Sequence, residues 1–187
     1  MATSEDATPS QKPVSVLFVC LGNICRSTMA EGVFLSLTQT TTPPHPLISR
    51  IDSCGTGAYH VGSKPDSRTM STLVSYGITS YRHSARKFRR EDFDEFDFVF
   101  AMDDENLEDL EQMRGREVRR RKKGGEGEEG LAKVMLFGEF GRKRKSGKGE
   151  EVQDPYYGAK DGFEIAYEQS VRFGKRFLEA LEKGELV

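Results

Sequence analysis

The sequence predicts an α/β fold, a single domain on a mostly parallel sheet, and three observations carry that reading. Short apolar runs rich in β-branched residues alternate with stretches of helical spacing. The first run, Val14 to Val19, is apolar at almost every position, as a strand covered on both faces must be. The chain has 187 residues, which suits one domain able to bury a core without disulfides or metals.

Residues 1–12 are polar and read as a disordered tail, leaving 13–187 as the domain. After the first strand comes a loop holding Gly22 and Asn23. From Ser27, the residues Met29, Ala30, Val33, Phe34 and Leu37 recur at helix spacing until the Thr/Pro cluster from Thr40 to Pro46. Leu47 to Ser53 reads as a second strand, and Gly55, Gly57 and Gly62 mark a flexible loop. Pro65 opens a helix that runs through Tyr76 and is stopped by Gly77. Phe96 to Ala101 is the third strand. Asp103 is placed to cap a helix continuing through Asn106, Leu107 and Leu110. Ala132 to Phe137 is the fourth strand. Asp161 to Lys183 is the clearest helix, with Ala166, Tyr167, Ser170, Val171, Gly174, Phe177, Leu178 and Leu181 on one narrow face. Two basic, Gly-rich segments, near 114–130 and 141–151, break the alternation and read as solvated insertions. The alternative for them is a nuclear-localisation or anionic-partner patch.

Composition narrows the function. With 28 basic and 30 acidic residues the net charge is -2, which argues against a general nucleic-acid partner. No apolar run approaches the roughly 18 residues of a membrane span. The N-terminal stretch lacks the basic start and apolar run of a signal peptide, and its charges before Lys12 are acidic, unlike a mitochondrial presequence. A cytoplasmic location is therefore expected, with no nucleic acid and no membrane as partner. Cys20, Cys25 and Cys54 are too few, and of the wrong parity, for a secreted disulfide framework; in a reducing compartment they are free thiols.

The informative segment is Cys20-Leu21-Gly22-Asn23-Ile24-Cys25-Arg26-Ser27, between a buried strand and a helix. The carboxyl end of a parallel strand is where such sheets place ligands. A loop there that opens into a helix aims several backbone N–H groups at one point and makes an anion site. The amides and Arg26 favour negative charge, hence the thiolate form of Cys20 and a phosphate above it. Arg26 can grip two phosphate oxygens at once, and the Ser27 hydroxyl can donate to the sulfur. Gly22 allows close backbone approach, and Asn23 tolerates the left-handed conformation. A lone cysteine closing an apolar strand is ordinarily a buried hydrophobe; the Cys-x5-Arg-Ser spacing between strand and helix is what sets Cys20 apart. A nucleophile of this kind needs a carboxyl group to protonate the leaving oxygen and then deprotonate water. The best candidate is Asp154 in Asp154-Pro155-Tyr156-Tyr157-Gly158, where the two tyrosines could wall a slot for an aromatic ring. Taken alone, the same residues would read as an ordinary Asp-Pro turn.

Together these segments resemble the low-molecular-weight protein tyrosine phosphatase family, over roughly Val14 to Leu181. The strongest matches are Val-Cys-Leu-Gly-Asn-Ile-Cys-Arg-Ser (19–27) and Asp-Pro-Tyr-Tyr-Gly (154–158). Weaker ones are Ser-Cys-Gly-Thr-Gly (53–57), Pro-Asp-Ser-Arg (65–68), His-Ser-Ala-Arg (83–86) and Ala-Met-Asp-Asp-Glu-Asn (101–106). The resemblance implies a four-stranded parallel sheet flanked by helices on both faces, of the Rossmann-like phosphotyrosine phosphatase I type. It implies hydrolysis of phosphotyrosine and aryl phosphates with no metal or organic cofactor, acid phosphatase behaviour, phosphotyrosine proteins as partners, and inhibition by phosphate and vanadate. Cys20 would be the nucleophile, Arg26 the transition-state clamp and Asp154 the general acid and base. Leu21, Gly22, Asn23, Ile24, Cys25, Arg26 and Ser27 would wrap the phosphate. Asn23, Ser27, Ser53 and His83 would support the loop, although Ser53 and His83 on their own read as turn residues. Tyr59, Tyr156 and Tyr157 would form the rim against the substrate ring, the last two being candidate phosphorylation sites. Cys25 would be the redox partner that protects Cys20; otherwise it packs behind the loop. Bacterial relatives that act on phosphoarginine tend to carry Thr where this chain has Ile24, which favours phosphotyrosine. Thr28 replaces the family's usual Pro.

Two other readings compete. Arsenate reductases coupled to thioredoxin share this loop but relay electrons through downstream cysteines, and here none follows Cys54. A non-catalytic phosphotyrosine-binding module would be expected to lose Cys20, Arg26 or Asp154, and all three are present. A nucleotide-binding loop between Gly141 and Gly149 fails on glycine spacing and lacks the metal-binding hydroxyl.

Overall fold

In chain order the elements are β1 (Val14–Cys20), α1 (Arg26–Gln39), β2 (Ile48–Gly55), α2 (Ser67–Ser75), α3 (Asp92–Glu95), β3 (Phe98–Ala101), α4 (Asp104–Lys123), β4 (Lys133–Leu136) and α5 (Gly162–Glu182). A short 3-10 turn, Phe137–Phe140, follows β4. The computed structural model describes residues 12–141, 149–158 and 161–186. The expected tail apart from Lys12, and residues 142–148 of the second insertion, lie outside the described residues.

β1 is buried at every position, which is why its sequence does not alternate. Val14, Val16, Phe18 and Cys20 point to one face, where Ala30 and Phe34 of α1 meet Phe173 and Phe177 of α5. Leu17 and Val19 point to the other, against Phe93 of α3 and Leu110 of α4. Each face of the sheet thus has its own apolar layer, and the strand at the centre must satisfy both. Phe18 anchors the first layer, its ring 5.0 Å from Phe137 and 5.6 Å from Phe34.

All strand pairs are parallel, in the order β2-β1-β3-β4. The chain leaves β1 toward one edge to make β2 and returns past it to make β3, so the order reverses at β1. Ligand crevices of open α/β sheets lie at the carboxyl ends of strands at such a reversal. Cys20 is the last residue of β1, and Asp103 follows β3 by two residues.

The structure refines several expectations. The second helix starts at Ser67, not Pro65, because the Asp66 carboxylate accepts the Arg68 backbone N–H at 2.8 Å and caps it. Gly77 stops it as expected, with φ 83 supplying the left-handed turn. The third strand is only Phe98–Ala101; Phe96 instead closes α3, a helix of four residues too short to leave a period in the sequence. The stretch expected as an insertion from 114 is helix as far as Lys123. Its charges pair along the helix: buried Glu117 accepts from Arg120 at 2.7 Å and Arg121 at 3.2 Å.

Candidate active site

The loop after β1 turns back on the sulfur that precedes it. The Asn23 backbone N–H donates to Cys20 Sγ at 3.3 Å, and Ser27 Oγ lies 3.1 Å from the same sulfur. Asn23 makes this turn in the left-handed conformation, φ 56, the one such non-glycine residue among those described. Its side chain is held at both ends. The amide nitrogen donates to Ser27 Oγ at 2.9 Å and Ser53 Oγ at 2.8 Å. The amide oxygen accepts the Arg86 backbone N–H at 2.9 Å and lies 2.8 Å from His83 Nε2. The four residues expected to support the loop are therefore brought together. A Cβ on Gly22 would meet the His60 ring at 2.9 Å, so close approach at that position is to the neighbouring loop.

Arg26 opens α1 and is almost fully buried, with 6% of its side chain exposed. It pairs with Asp103 at the end of β3, and its Nη2 lies 3.5 Å from Asp154 Oδ2. Burial pulls the guanidinium's affinity for its proton down, but Cys20 and Asp103 beside it raise it above the ordinary value. Asp154 sits on a chain pinned by the Val152 N–H, which donates to the Met102 carbonyl at 2.8 Å. Asp154 Oδ1 accepts the Tyr156 N–H at 3.0 Å, and its side chain is 48% exposed. The guanidinium is thus buried and the carboxylate reaches solvent.

Cys20, Arg26, Asp154 and the tyrosines Tyr59, Tyr156 and Tyr157 all line one cavity of about 260 Å³. Leu21, Gly22, Ile24, Cys25 and His60 also line it. Tyr59 and Tyr157 stand out from the rim, Tyr157 being 92% exposed. Arg68 braces Tyr156, lying 5.1 Å over its ring while Asp66 holds its fork. Burial, together with Asp66 and Cys20, pushes the Cys25 thiol up to about 12, which leaves it a poor nucleophile at neutral pH.

A family model described as low molecular weight phosphotyrosine protein phosphatase matches residues 15–185. The chain belongs to that family. A phosphatase of this description from Schizosaccharomyces pombe is 44% identical over 170 residues, covering 91% of this chain and 98% of its own. Among solved structures, a protein tyrosine phosphatase from Entamoeba histolytica superposes with a TM-score of 0.73 at 32% identity, covering 92% of this chain and 99% of its own. A Drosophila structure described as an arginine phosphatase gives 0.74 at 32% identity, covering 90% and 98%.

Within the low-molecular-weight phosphotyrosine phosphatase family, the departure at Thr28 has a local explanation. Thr28 is fully buried, and its hydroxyl donates to the Cys25 carbonyl at 3.0 Å inside the first turn of α1. Sequence reasoning missed four residues. Asp103 is legible in the sequence as a helix cap, and it is one, accepting the Asn106 N–H at 2.7 Å, but its pairing with Arg26 is not. His60 lines the cavity beside Tyr59. Glu31 and Tyr81 lie beneath the loop, and nothing in their local sequence marks them. Ligand atoms of Glu31, Asp52 and His83 lie within 4.8 Å of one another, near enough to share a metal. Protein donors already occupy the carboxylates, since Arg86 forks onto Asp52 at 2.9 and 3.0 Å and Ser53 and Tyr81 donate to Glu31, while His83 Nε2 is engaged by the Asn23 amide oxygen.

Burial raises the Glu31 carboxyl from 4.5 to about 7, the Ser53 and Tyr81 hydroxyls offsetting part of the rise. Between those two values the folded protein holds a proton that the unfolded chain has released. Stability from this group is therefore full below pH 4.5 and declines as pH rises to about 7. His83, lowered from 6.5 chiefly by burial, acts in the opposite sense below that pH. The Glu31 contribution is read as a difference: from pH 4.5 to 7, Tm of wild type should fall relative to Glu31→Gln, and parallel Tm curves would refute it.

Proposed function

We propose that the protein hydrolyses phosphotyrosine on proteins, and aryl phosphates generally, through a cysteinyl phosphate on Cys20. One observation carries the reading: a sulfur at the foot of a cavity, met by the Asn23 N–H and the Ser27 hydroxyl, with Arg26 and Asp154 converging above it. The thiolate attacks phosphorus, and the bond from phosphorus to the aryl oxygen breaks. Loop amides and Arg26 hold the equatorial oxygens as their charge grows. Asp154 gives its proton to the departing phenolate. Water then attacks the phosphocysteine and yields its proton to Asp154. The sulfur leaves as a thiolate, stabilised by Ser27, and inorganic phosphate departs. No step calls for a metal or organic cofactor.

Phosphate and vanadate, which match the loop in ground-state and trigonal-bipyramidal geometry, should compete with substrate. Tyr59, Tyr156 and Tyr157, which all line the cavity, supply aromatic faces for a substrate ring. Cys25 is the partner for an oxidised Cys20: a sulfenic acid condenses with its thiol to give a disulfide and water. The buried, protonated state of Cys25 makes that pairing slow. The cytoplasm is the compartment in which this thiol chemistry is sustained. No helix among the described residues is long and apolar enough to cross a membrane.

The substrate class is tested with phosphotyrosine, phosphoserine and phosphoarginine peptides compared by kcat/KM with EDTA present. Phosphotyrosine should be preferred, because Ile24 lines the cavity and offers apolar contact to a ring. The similarity to a Drosophila arginine phosphatase gives the third peptide its weight. Equal or faster turnover of phosphoarginine would overturn the assignment.

A further inference from the structure

Groups that can only donate, or only accept, fix the hydrogens of the loop's support network. The Arg86 backbone N–H must donate, so the Asn23 atom it meets at 2.9 Å is the amide oxygen. The Asn23 amide nitrogen therefore gives one hydrogen to Ser27 and one to Ser53. His83 Nε2, 2.8 Å from the same amide oxygen, must carry a hydrogen as well. Ser53 Oγ also lies 3.5 Å from Nε2, but that ring position offers it no lone pair. Among the described residues the acceptor that meets the Ser53 hydroxyl at hydrogen-bond distance is Glu31 Oε2 at 2.7 Å. The buried Tyr81 hydroxyl donates to the same oxygen, also at 2.7 Å. His83 Nδ1 is 3.2 Å away, a contact that requires one hydrogen between ring and carboxyl.

We propose that Glu31, steadied by Tyr81, is the positioning residue that sets the direction of the hydrogen-bond chain ending on Cys20 Sγ. Because the Ser53 hydrogen is committed to Glu31, the Ser53 lone pairs receive Asn23. The second Asn23 hydrogen occupies Ser27, and the Ser27 hydrogen is left for the sulfur. Neither Glu31 nor Tyr81 lines the cavity, so each acts through geometry and not on the substrate. The other charges facing Glu31 are Asp52 on β2 and Arg86, and Arg86 is engaged by Asp52 and Asp92. This inference rests on Cys20 being the nucleophile.

The test uses Glu31→Gln and Tyr81→Phe in the full chain, read by kcat and KM on p-nitrophenyl phosphate and by the pH profile of Cys20 alkylation with iodoacetate. Glu31→Gln puts an amide beside Ser53 that can donate to its hydroxyl, so the fixed carboxyl acceptor is lost. It should lower kcat about tenfold and move the alkylation midpoint to higher pH, the scale of one hydrogen bond to a charged group. Tyr81→Phe deletes a single hydroxyl, keeps the ring stacked on His83, and should shift both readouts in the same direction by a smaller amount. KM should change little, since neither side chain touches substrate. Alkylation profiles of both folded variants superposing on wild type would overturn the proposal, as would a defect confined to Tm. If inorganic phosphate fails to protect wild-type Cys20 from iodoacetate, the nucleophile reading itself falls and the inference falls with it. If phosphate protects and the variants are unshifted, the inference alone fails.

Discussion

Cys20→Ser will reduce p-nitrophenyl phosphate hydrolysis to the uncatalysed background while leaving the fold and phosphate binding in place. The substitution exchanges sulfur for oxygen at the end of a fully buried strand, where the side chain is small and already hydrogen-bonded. A serine hydroxyl can occupy that position and accept the Asn23 N–H. It cannot ionise there as a thiol does, and among the described residues no imidazole or carboxylate is bonded to Cys20 to act as its base. Chemistry is therefore lost far more completely than structure. Rapid-quench measurement on wild type should show a burst of p-nitrophenol ahead of steady turnover, and acid quenching should trap label on Cys20. EDTA should have no effect on either. Residual activity in Cys20→Ser above about a thousandth of wild type, well over what binding groups alone leave behind in covalent enzymes, would sink the phosphocysteine route.

Asp154→Ala should cut turnover by on the order of 10²–10⁴, the usual scale of acid–base assistance. Its dependence on the leaving group is more diagnostic than its size. Phenolate is a far stronger base than p-nitrophenolate, so its departure depends more on a donated proton. The deficit should accordingly be larger on phenyl phosphate or phosphotyrosine than on p-nitrophenyl phosphate. Asp154 also lies 3.5 Å from Arg26, so a purely electrostatic role would make the loss uniform across leaving groups. The variant should fold normally, since the side chain is half exposed and the hydrogen bond it accepts comes from the nearby Tyr156 N–H. A uniform deficit would reassign Asp154 to positioning Arg26.

Much of the framework was legible in the residues. Val14 to Val19 announced a strand buried on both faces because burial on two sides leaves no room for alternation. The spacing from Cys20 to Ser27, between strand and helix, marked the loop because few other uses require a thiol, an arginine and a hydroxyl so arranged. Gly77 and Asp103 marked their helix ends because turns and caps depend on local chemistry. The helix α3 left no signal, since four residues do not complete enough turns to show a period. The charged run from 114 to 123 looked like a loop because its pairing with Glu117 becomes visible only once the helix exists.

What the sequence determined by itself was local: the strand, the loop that follows it, and the Asp-Pro segment far along the chain. It did not show that Asp103 would meet Arg26 across 77 residues, or that Glu31 would receive Ser53, Tyr81 and His83. Those contacts exist because the parallel order β2-β1-β3-β4 brings the ends of three strands to one side of the sheet. Hydrogen bonds between distant segments carry no periodicity and no fixed spacing. Only the tertiary structure could decide them, because only packing sets which buried polar groups must satisfy one another.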